Sequence, residues 1–286
     1  MENVLEVSGL CKDYGSFSLK DVSFALPQGS IMGFIGENGA GKTTTLKLIL
    51  NMIKKDSGSI RVFGMDHTKR EKDIKQQLGV VLDNCYFHES LKPDDISSVM
   101  RSIYAGWDDA LYQSLLKRFG VSAKNTVKQM SKGMKTKLSL SVALAHRPRV
   151  LLLDEATSGL DPVVRSEILD IFLDIIQDEE RSIFLSTHII SDLEKVADYV
   201  TLIKDGQLIF SQAADDLKYG YGILKCGQND FARIDRTDIE GQRRGQFGYE
   251  VLMKNPGAVR QKYPGLTVDP AHIEDIMLFY VRSEAS

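Results

Sequence analysis

The run Gly36-Glu37-Asn38-Gly39-Ala40-Gly41-Lys42-Thr43 satisfies the spacing GxxxxGK[ST]. Glycines let successive backbone N–H groups turn inward onto phosphate oxygens, and a helix beginning at the lysine adds its partial positive charge. Lys42 then reaches the outer phosphates as a mobile cation, and the Thr43 hydroxyl takes a place on Mg²⁺. Asn38, Gly39, Ala40, Gly41, Lys42, Thr43 and Thr44 are therefore the expected nucleotide-binding residues.

Two further groups could act on a nucleotide held there. Leu151-Leu152-Leu153-Asp154-Glu155 puts adjacent carboxylates where an apolar strand emerges, and ligand chemistry in α/β proteins collects at carboxyl strand ends. Asp154 suits Mg²⁺, directly or through water, while Glu155 is placed to orient an attacking water. His188 ends the next strand, Phe184-Leu185-Ser186-Thr187-His188, where an imidazole could bond the terminal phosphate or that water. Taken singly, an acidic strand end and a lone histidine also suit purely structural roles. The phosphate loop upstream tips both toward catalysis.

The elements that must position these residues can be read from periodicity. Ile31-Met32-Gly33-Phe34-Ile35 is a compact apolar strand running into the glycine-rich loop, and residues 42–53 then carry helical spacing. Short strands are expected at 4–7, 19–26, 59–63 and 78–82, with a polar helix near 69–77. Residues 84–147 read as a helical insert, with helices at 94–105, 107–119 and 132–146. The core resumes at 150–153, whose lack of alternation marks a strand buried on both faces. A helix at 163–178, a strand at 182–185 and a helix at 191–197 follow, then a hairpin of 200–203 and 207–210 around Lys204-Asp205-Gly206. Beyond 211, strands at 222–226, 249–254 and 266–269 and a helix at 271–282 suggest a small α+β appendage. The expected division is 1–210 and an accessory region, 211–286.

Composition excludes several classes. The chain has 286 residues, 43% hydrophobic and 26% charged, which suits a globular protein with a sizeable core. With 36 basic against 39 acidic residues the net charge is −3, so no global positive field is available for nucleic acid, and none is expected as a partner. Cys11, Cys85 and Cys226 stand singly, which reads as free thiols in a reducing compartment. The N-terminus lacks a secretory pattern, and no apolar run approaches ~18 residues. The expected place is the cytosol or the cytosolic side of another component.

The order of these motifs resembles a family, the nucleotide-binding subunits of ABC transporters, over roughly residues 1–210. Residues 36–43 resemble the Walker A loop, 150–155 the Walker B strand with its catalytic glutamate, and Ser158-Gly159-Leu160-Asp161 the D-loop. His188 is similar to the switch histidine, and Tyr14 to the aromatic that stacks on adenine. Met130-Ser131-Lys132-Gly133-Met134 stands in the place of the signature LSGGQ. The resemblance implies an α/β fold. It would be a P-loop NTPase with a RecA-like core, an N-terminal antiparallel β subdomain, the helical insert and the α+β C-terminal extension. It also implies ATP hydrolysis with Mg²⁺ and a separate transmembrane permease subunit on the cytoplasmic face of the membrane. A second copy would be arranged head-to-tail, so that Ser131 and Gly133 meet the partner's nucleotide. The wording of the phosphate loop is most similar to the drug- and peptide-exporting branch. A soluble ATP-gated clamp of the same fold is the alternative, disfavoured by the single nucleotide domain and the lack of basic excess.

Two positions depart from the family pattern. Lys132 and Met134 replace a glycine and the final glutamine of the signature; Lys132 either adds a cation there or points to solvent. At the end of the strand 78–82, where the family has a glutamine, stands Asp83. An aspartate there suits the Mg²⁺ shell, or it caps the following turn.

Overall fold

The computed structural model describes residues 2–245 and 248–282, so the end of the expected accessory region, 283–286, lies outside the described residues. Strand β1 (Asn3–Asp13) pairs antiparallel with β2 (Ser18–Pro27), and β3 (Ile31–Ile35) leads through the glycine-rich loop into α1 (Lys42–Ile49). β4 (Ser57–Val62) and β5 (Met65–Asp66) complete a first, antiparallel sheet in the order β2-β1-β4-β5. The short helix α2 (Glu71–Lys75) precedes β6 (Leu78–Val81). Three helices then follow without a strand between them: α3 (Pro93–Ile103), α4 (Asp109–Arg118) and α5 (Lys132–Leu144).

β7 (Val150–Asp154), α6 (Pro162–Ile176), β8 (Ser182–Thr187), α7 (Ile190–Val196), β9 (Tyr199–Lys204) and β10 (Gln207–Ala213) return the chain to a six-stranded sheet. Its order is β10-β9-β3-β8-β7-β6, parallel except for the hairpin strand β10. Every residue of β3, β7 and β8 is buried, because layers cover both faces of a parallel sheet. The β9–β10 turn places Asp205 and Gly206 at φ of 48° and 75°, the two positive values a tight hairpin requires.

One face of this sheet meets the antiparallel sheet through a triangle of rings. Phe24 and Phe34 have centroids 5.3 Å apart, Phe24 and Phe184 5.8 Å, and Phe34 and Phe184 5.3 Å. The other face packs against α5, α6 and α7 through residues such as Leu138, Leu151, Phe172 and Leu185. Helix α5 is also fastened at its far end. There the ring of His146 stacks on Tyr104 with centroids 3.9 Å apart, and its Nε2–H donates to the Leu78 carbonyl at 3.0 Å. Burial pushes the pKa of this imidazole down, which favours the neutral ring.

The remainder forms a third sheet, β12-β13-β11-β14. It begins with α8 (Ala214–Gly220), β11 (Tyr221–Cys226) and α9 (Gln228–Phe231). The strands β12 (Ile239–Gly245) and β13 (Gly248–Lys254) follow, then α10 (Pro256–Lys262), β14 (Thr267–Pro270) and α11 (Ile273–Arg282). The Lys204 ammonium donates to the Tyr280 and Val281 carbonyls at 3.4 and 2.9 Å, so a core cation caps the last turn of α11.

Four elements differ from the reading of the sequence. α1 ends at Ile49 although apolar spacing continues to Ile53, because Asn51 turns left-handed at φ 54°. β12 carries Glu240, Gln242, Arg243 and Arg244 at a sheet edge, so it shows little of the alternation by which strands are recognised. α8 and α10 are only seven residues each, too short for a helical period to declare itself.

Phe184 is fully buried at one corner of the ring triangle. Truncation to alanine removes its transfer free energy and leaves a cavity, so Phe184→Ala is expected to destabilise the protein by about 3–5 kcal/mol. Denaturant unfolding checks this; a midpoint unchanged from wild type contradicts the packing described.

Candidate active site

The parallel register sets the site. Asp154 lies opposite Ser186, and Ile35 lies opposite Thr187, so the ends of β3, β7 and β8 come together at one edge of the sheet. Carboxyl strand ends open there into a cleft of about 620 Å³. Its walls include Asn38, Gly39, Gly41, Lys42, Thr43 and Thr44 from the loop, Glu155 and His188 from the following strand ends, and Asp83. The sequence separates these residues by more than half the chain, and the fold unites them.

The glycine-rich loop has the shape its composition predicts. Gly41, at φ 112°, immediately precedes α1, and a Cβ there would lie 2.6 Å from the Leu19 side chain. Both the torsion and the space demand glycine. Ala40 points the other way: it is buried in the core that also holds Phe24, Phe34 and Phe184, and its N–H donates to the Glu37 carbonyl at 3.1 Å. The Lys42 side chain is 6% exposed, and its ammonium donates to the Gly36 and Glu37 carbonyls at 2.8 and 3.2 Å.

That ammonium also lies 3.5 Å from Glu155 Oε1, while Glu155 Oε2 is 2.7 Å from His188 Nδ1. Cation, carboxylate and imidazole therefore form one chain across the cleft. Glu155 sits at φ 51°, a left-handed conformation unusual for a side chain of this size, with its N–H bonded to the Ser186 carbonyl at 2.8 Å. Such torsions persist where surrounding structure over-determines them, commonly at functional sites.

Beneath this chain lies Asp154, only 2% exposed. Its Oδ2 accepts from the Thr43 hydroxyl at 2.9 Å and its Oδ1 from the Ser186 hydroxyl at 2.8 Å. Hydroxyl and carboxylate oxygens converging at one point form a hard donor set that fits Mg²⁺. Among the described residues no group of three or more His, Cys, Asp or Glu side chains is arranged to hold a metal. A cation placed at Thr43 and Asp154 would thus draw most of its other ligands from phosphate and water.

The remaining expected residues lie elsewhere. Asp83 lines the cleft, but its carboxylate accepts from Asn84 and Tyr86 of its own loop, at 2.9 and 3.3 Å. Tyr14 is half exposed, with the Lys12 ammonium 5.5 Å from its ring centroid; Phe17, at the other end of the same turn, lines the cleft instead. Their turn is closed by the Tyr14 N–H donating to the Phe17 carbonyl at 2.9 Å. Ser131 caps α5, accepting from the Met134 N–H at 3.2 Å, and Gly133 faces Val164, where a Cβ would come within 2.9 Å. Neither lines the cleft, whereas Lys132 between them does. Phe17, Asn84 and Ser186 are site residues that sequence reasoning missed. Ser186 had a signal, since it is two residues before His188 at the emerging end of a strand.

Residues 19–158 match the family described as ABC transporter. The bacitracin transport ATP-binding protein BcrA of Bacillus licheniformis is 34% identical over 221 residues, covering 76% of this chain and 72% of that one. The chain belongs to the ABC transporter family. It is 32% identical over 215 residues to the lantibiotic transport ATP-binding protein SrtF of Streptococcus pyogenes, covering 74% of this chain and 92% of SrtF. The solved ATP-binding subunit of an ABC transporter superposes with a TM-score of 0.67 at 26% identity, covering 75% of this chain and 92% of that chain. The protein is the ATP-binding and ATP-hydrolysing subunit of an ABC transporter, as the motif order implied. Its fold is that of the P-loop NTPases.

Ser186→Ala would leave one oxygen of a buried carboxylate without its donor. The expected cost is about 1–3 kcal/mol of stability, read as a lower denaturation midpoint with an unchanged slope. An unaltered midpoint means that the bond to Asp154 is not made.

Proposed function

We propose that the protein powers export of a peptide, antibiotic or other amphipathic compound through a separate permease subunit, from the cytoplasmic face of the membrane. The similarity to proteins named for bacitracin and lantibiotic transport supports the substrate class. No helix among the described residues is long and apolar enough to cross a membrane. Two copies are proposed to close head-to-tail, with Ser131 and Gly133 of each presented to the nucleotide of the other.

The observation that carries the catalytic reading is the Lys42–Glu155–His188 chain beside the Thr43–Asp154 pair. Thr43 and Asp154 would hold Mg²⁺, with Asp83 as a third oxygen donor on the facing wall. The metal would neutralise phosphate charge. Phosphate oxygens entering the loop offer Lys42 stronger partners than the two carbonyls it now holds. Its release from Glu155 frees that carboxylate to accept a proton from water. The water oxygen bonds to the γ-phosphorus as the bond to the bridging oxygen breaks, and ADP leaves with phosphate. His188, held to Glu155, would orient that carboxylate or bond the γ-phosphate.

Glu155→Gln is expected to bind ATP with near-native affinity while losing most turnover, since an amide cannot accept the proton. The variant should accumulate as a nucleotide-bound dimer in size-exclusion chromatography. Near-normal hydrolysis would falsify the assignment. The adenine is proposed to stack at the Tyr14–Phe17 turn, where base–aromatic contact is worth ~1–3 kcal/mol. Tyr14→Ala should therefore weaken ATP binding about tenfold to a hundredfold. If only Phe17→Ala weakens it, the base lies against the cleft wall and Tyr14 is a surface residue.

A further inference from the structure

Helix α11 lies between the accessory sheet and the nucleotide-binding core, and both hold it. Ile273, Ile276 and Phe279 are buried in the same core as Leu185, Leu193 and Phe210. From the accessory sheet, Arg243 of β12 reaches Asp275 at 3.5 Å and lies 4.6 Å over the Phe279 ring, while the Tyr280 hydroxyl donates to Glu240 at 3.2 Å. The core grips the two ends of the helix. Glu194 of α7 accepts from the Ile273 N–H at 3.1 Å, and the partly buried Lys204 at the end of β9 donates to the Tyr280 and Val281 carbonyls. A carboxylate at the N-terminus and an ammonium at the C-terminus both complement the helix dipole.

The hairpin that carries Lys204 also touches the phosphate loop. Gly206, in the same turn, donates its N–H to the Ala40 carbonyl at 3.1 Å, and its own carbonyl accepts from the Lys20 N–H at 2.8 Å. The fit is close on each side. A Cβ on Gly206 would lie 1.8 Å from the Ser18 carbonyl oxygen, and a Cβ on Gly36 would lie 2.4 Å from the Ile203 carbonyl oxygen. The turn is therefore wedged between β2 and the loop, and a packed segment of this kind has little slack to absorb a shift. The Ala40 carbonyl and the Gly41 N–H belong to one planar trans peptide and point opposite ways. By holding that carbonyl, Gly206 fixes the direction of the Gly41 N–H, and Gly41 lines the cleft. No residue of α11 does so.

We propose that Lys204 is a positioning residue through which the docking of α11 sets the phosphate loop. Its ammonium ties the last turn of α11 to the hairpin, and the hairpin holds the Ala40–Gly41 peptide that phosphate must meet. The accessory sheet thereby contributes to nucleotide affinity without reaching the nucleotide. The proposal rests on the cleft being the ATP site. Such coupling is reciprocal: where a docked α11 favours the binding shape of the loop, bound nucleotide favours a docked α11 by the same factor.

The test uses the full chain and two readouts. Lys204→Met keeps the alkyl stem and removes the donor; it should raise Kd and KM for MgATP about fivefold while kcat stays within about twofold, the pattern of lost binding without lost chemistry. Lys204→Arg, which can still donate to the two carbonyls, should return both to near-native values. Hydrogen exchange of the amides in 273–282 should slow about fivefold when MgATP binds the unmodified chain, and should not respond to MgATP in Lys204→Met. A Lys204→Met variant that is less stable yet keeps native Kd and KM would overturn the proposal, since the lysine would then only hold the fold. So would exchange in 273–282 of the unmodified chain that ignores MgATP, a result independent of how well any variant folds. Lys42→Ala is the separate control: if it still binds ATP normally, the reading of the cleft has failed rather than the coupling to it.

Discussion

Everything at this site depends on the carboxylate of Asp154 being held in place while nearly excluded from water. Burying a charge is costly unless hydrogen bonds replace its hydration, and here two hydroxyls do so, one from each neighbouring structural unit. Thr43 brings the start of α1, and Ser186 brings the end of β8. The bond between Thr43 and Asp154 therefore locks the phosphate loop onto the acidic strand, and the bond from Ser186 fixes the strand that delivers His188. Parallel register makes this possible, since Asp154 and Ser186 are direct partners across β7 and β8.

A second consequence concerns Lys42. Its ammonium is nearly buried, and three oxygens surround it: the Gly36 and Glu37 carbonyls and Glu155 Oε1. The ammonium thus ties the loop's own carbonyls to the acidic strand end. The left-handed backbone at Glu155 turns the chain so that the carboxylate reaches both Lys42 and His188. Exchange of carbonyl and carboxylate for phosphate keeps Lys42 satisfied throughout, so the buried charge is never left unpaired.

Much of this was legible in the chain. The loop from Gly36 to Thr43 announces itself because backbone geometry admits only certain residues at each position, as Gly41 shows. The β3, β7 and β8 strands are legible because burial on both faces leaves unbroken apolar runs. What the sequence withheld is of a different kind. Tyr14 and Phe17 are both aromatic and share one turn; only packing shows that Phe17 lines the cleft and Tyr14 lies half in solvent. Ala40 falls within the motif, yet its methyl faces the core and its N–H closes a turn inside the loop. Spacing identifies a segment that binds phosphate, but the direction of each amide depends on the three-dimensional path. In the C-terminal region, the polar edge strand β12 and the short helices offered no period to read.

The helical insert is coupled to the site at both ends of one helix. At its C-terminal side, beyond Leu144, the buried imidazole of His146 holds the Leu78 carbonyl at the start of β6. The approach is tight there, since a Cβ on Gly79 would lie 2.7 Å from the Ala143 carbonyl. At its N-terminus, Lys132 lines a cavity together with Asp83, just past the end of β6. The first contact is a packed, neutral hydrogen bond with little room to slide; the second is an opening lined by opposite charges.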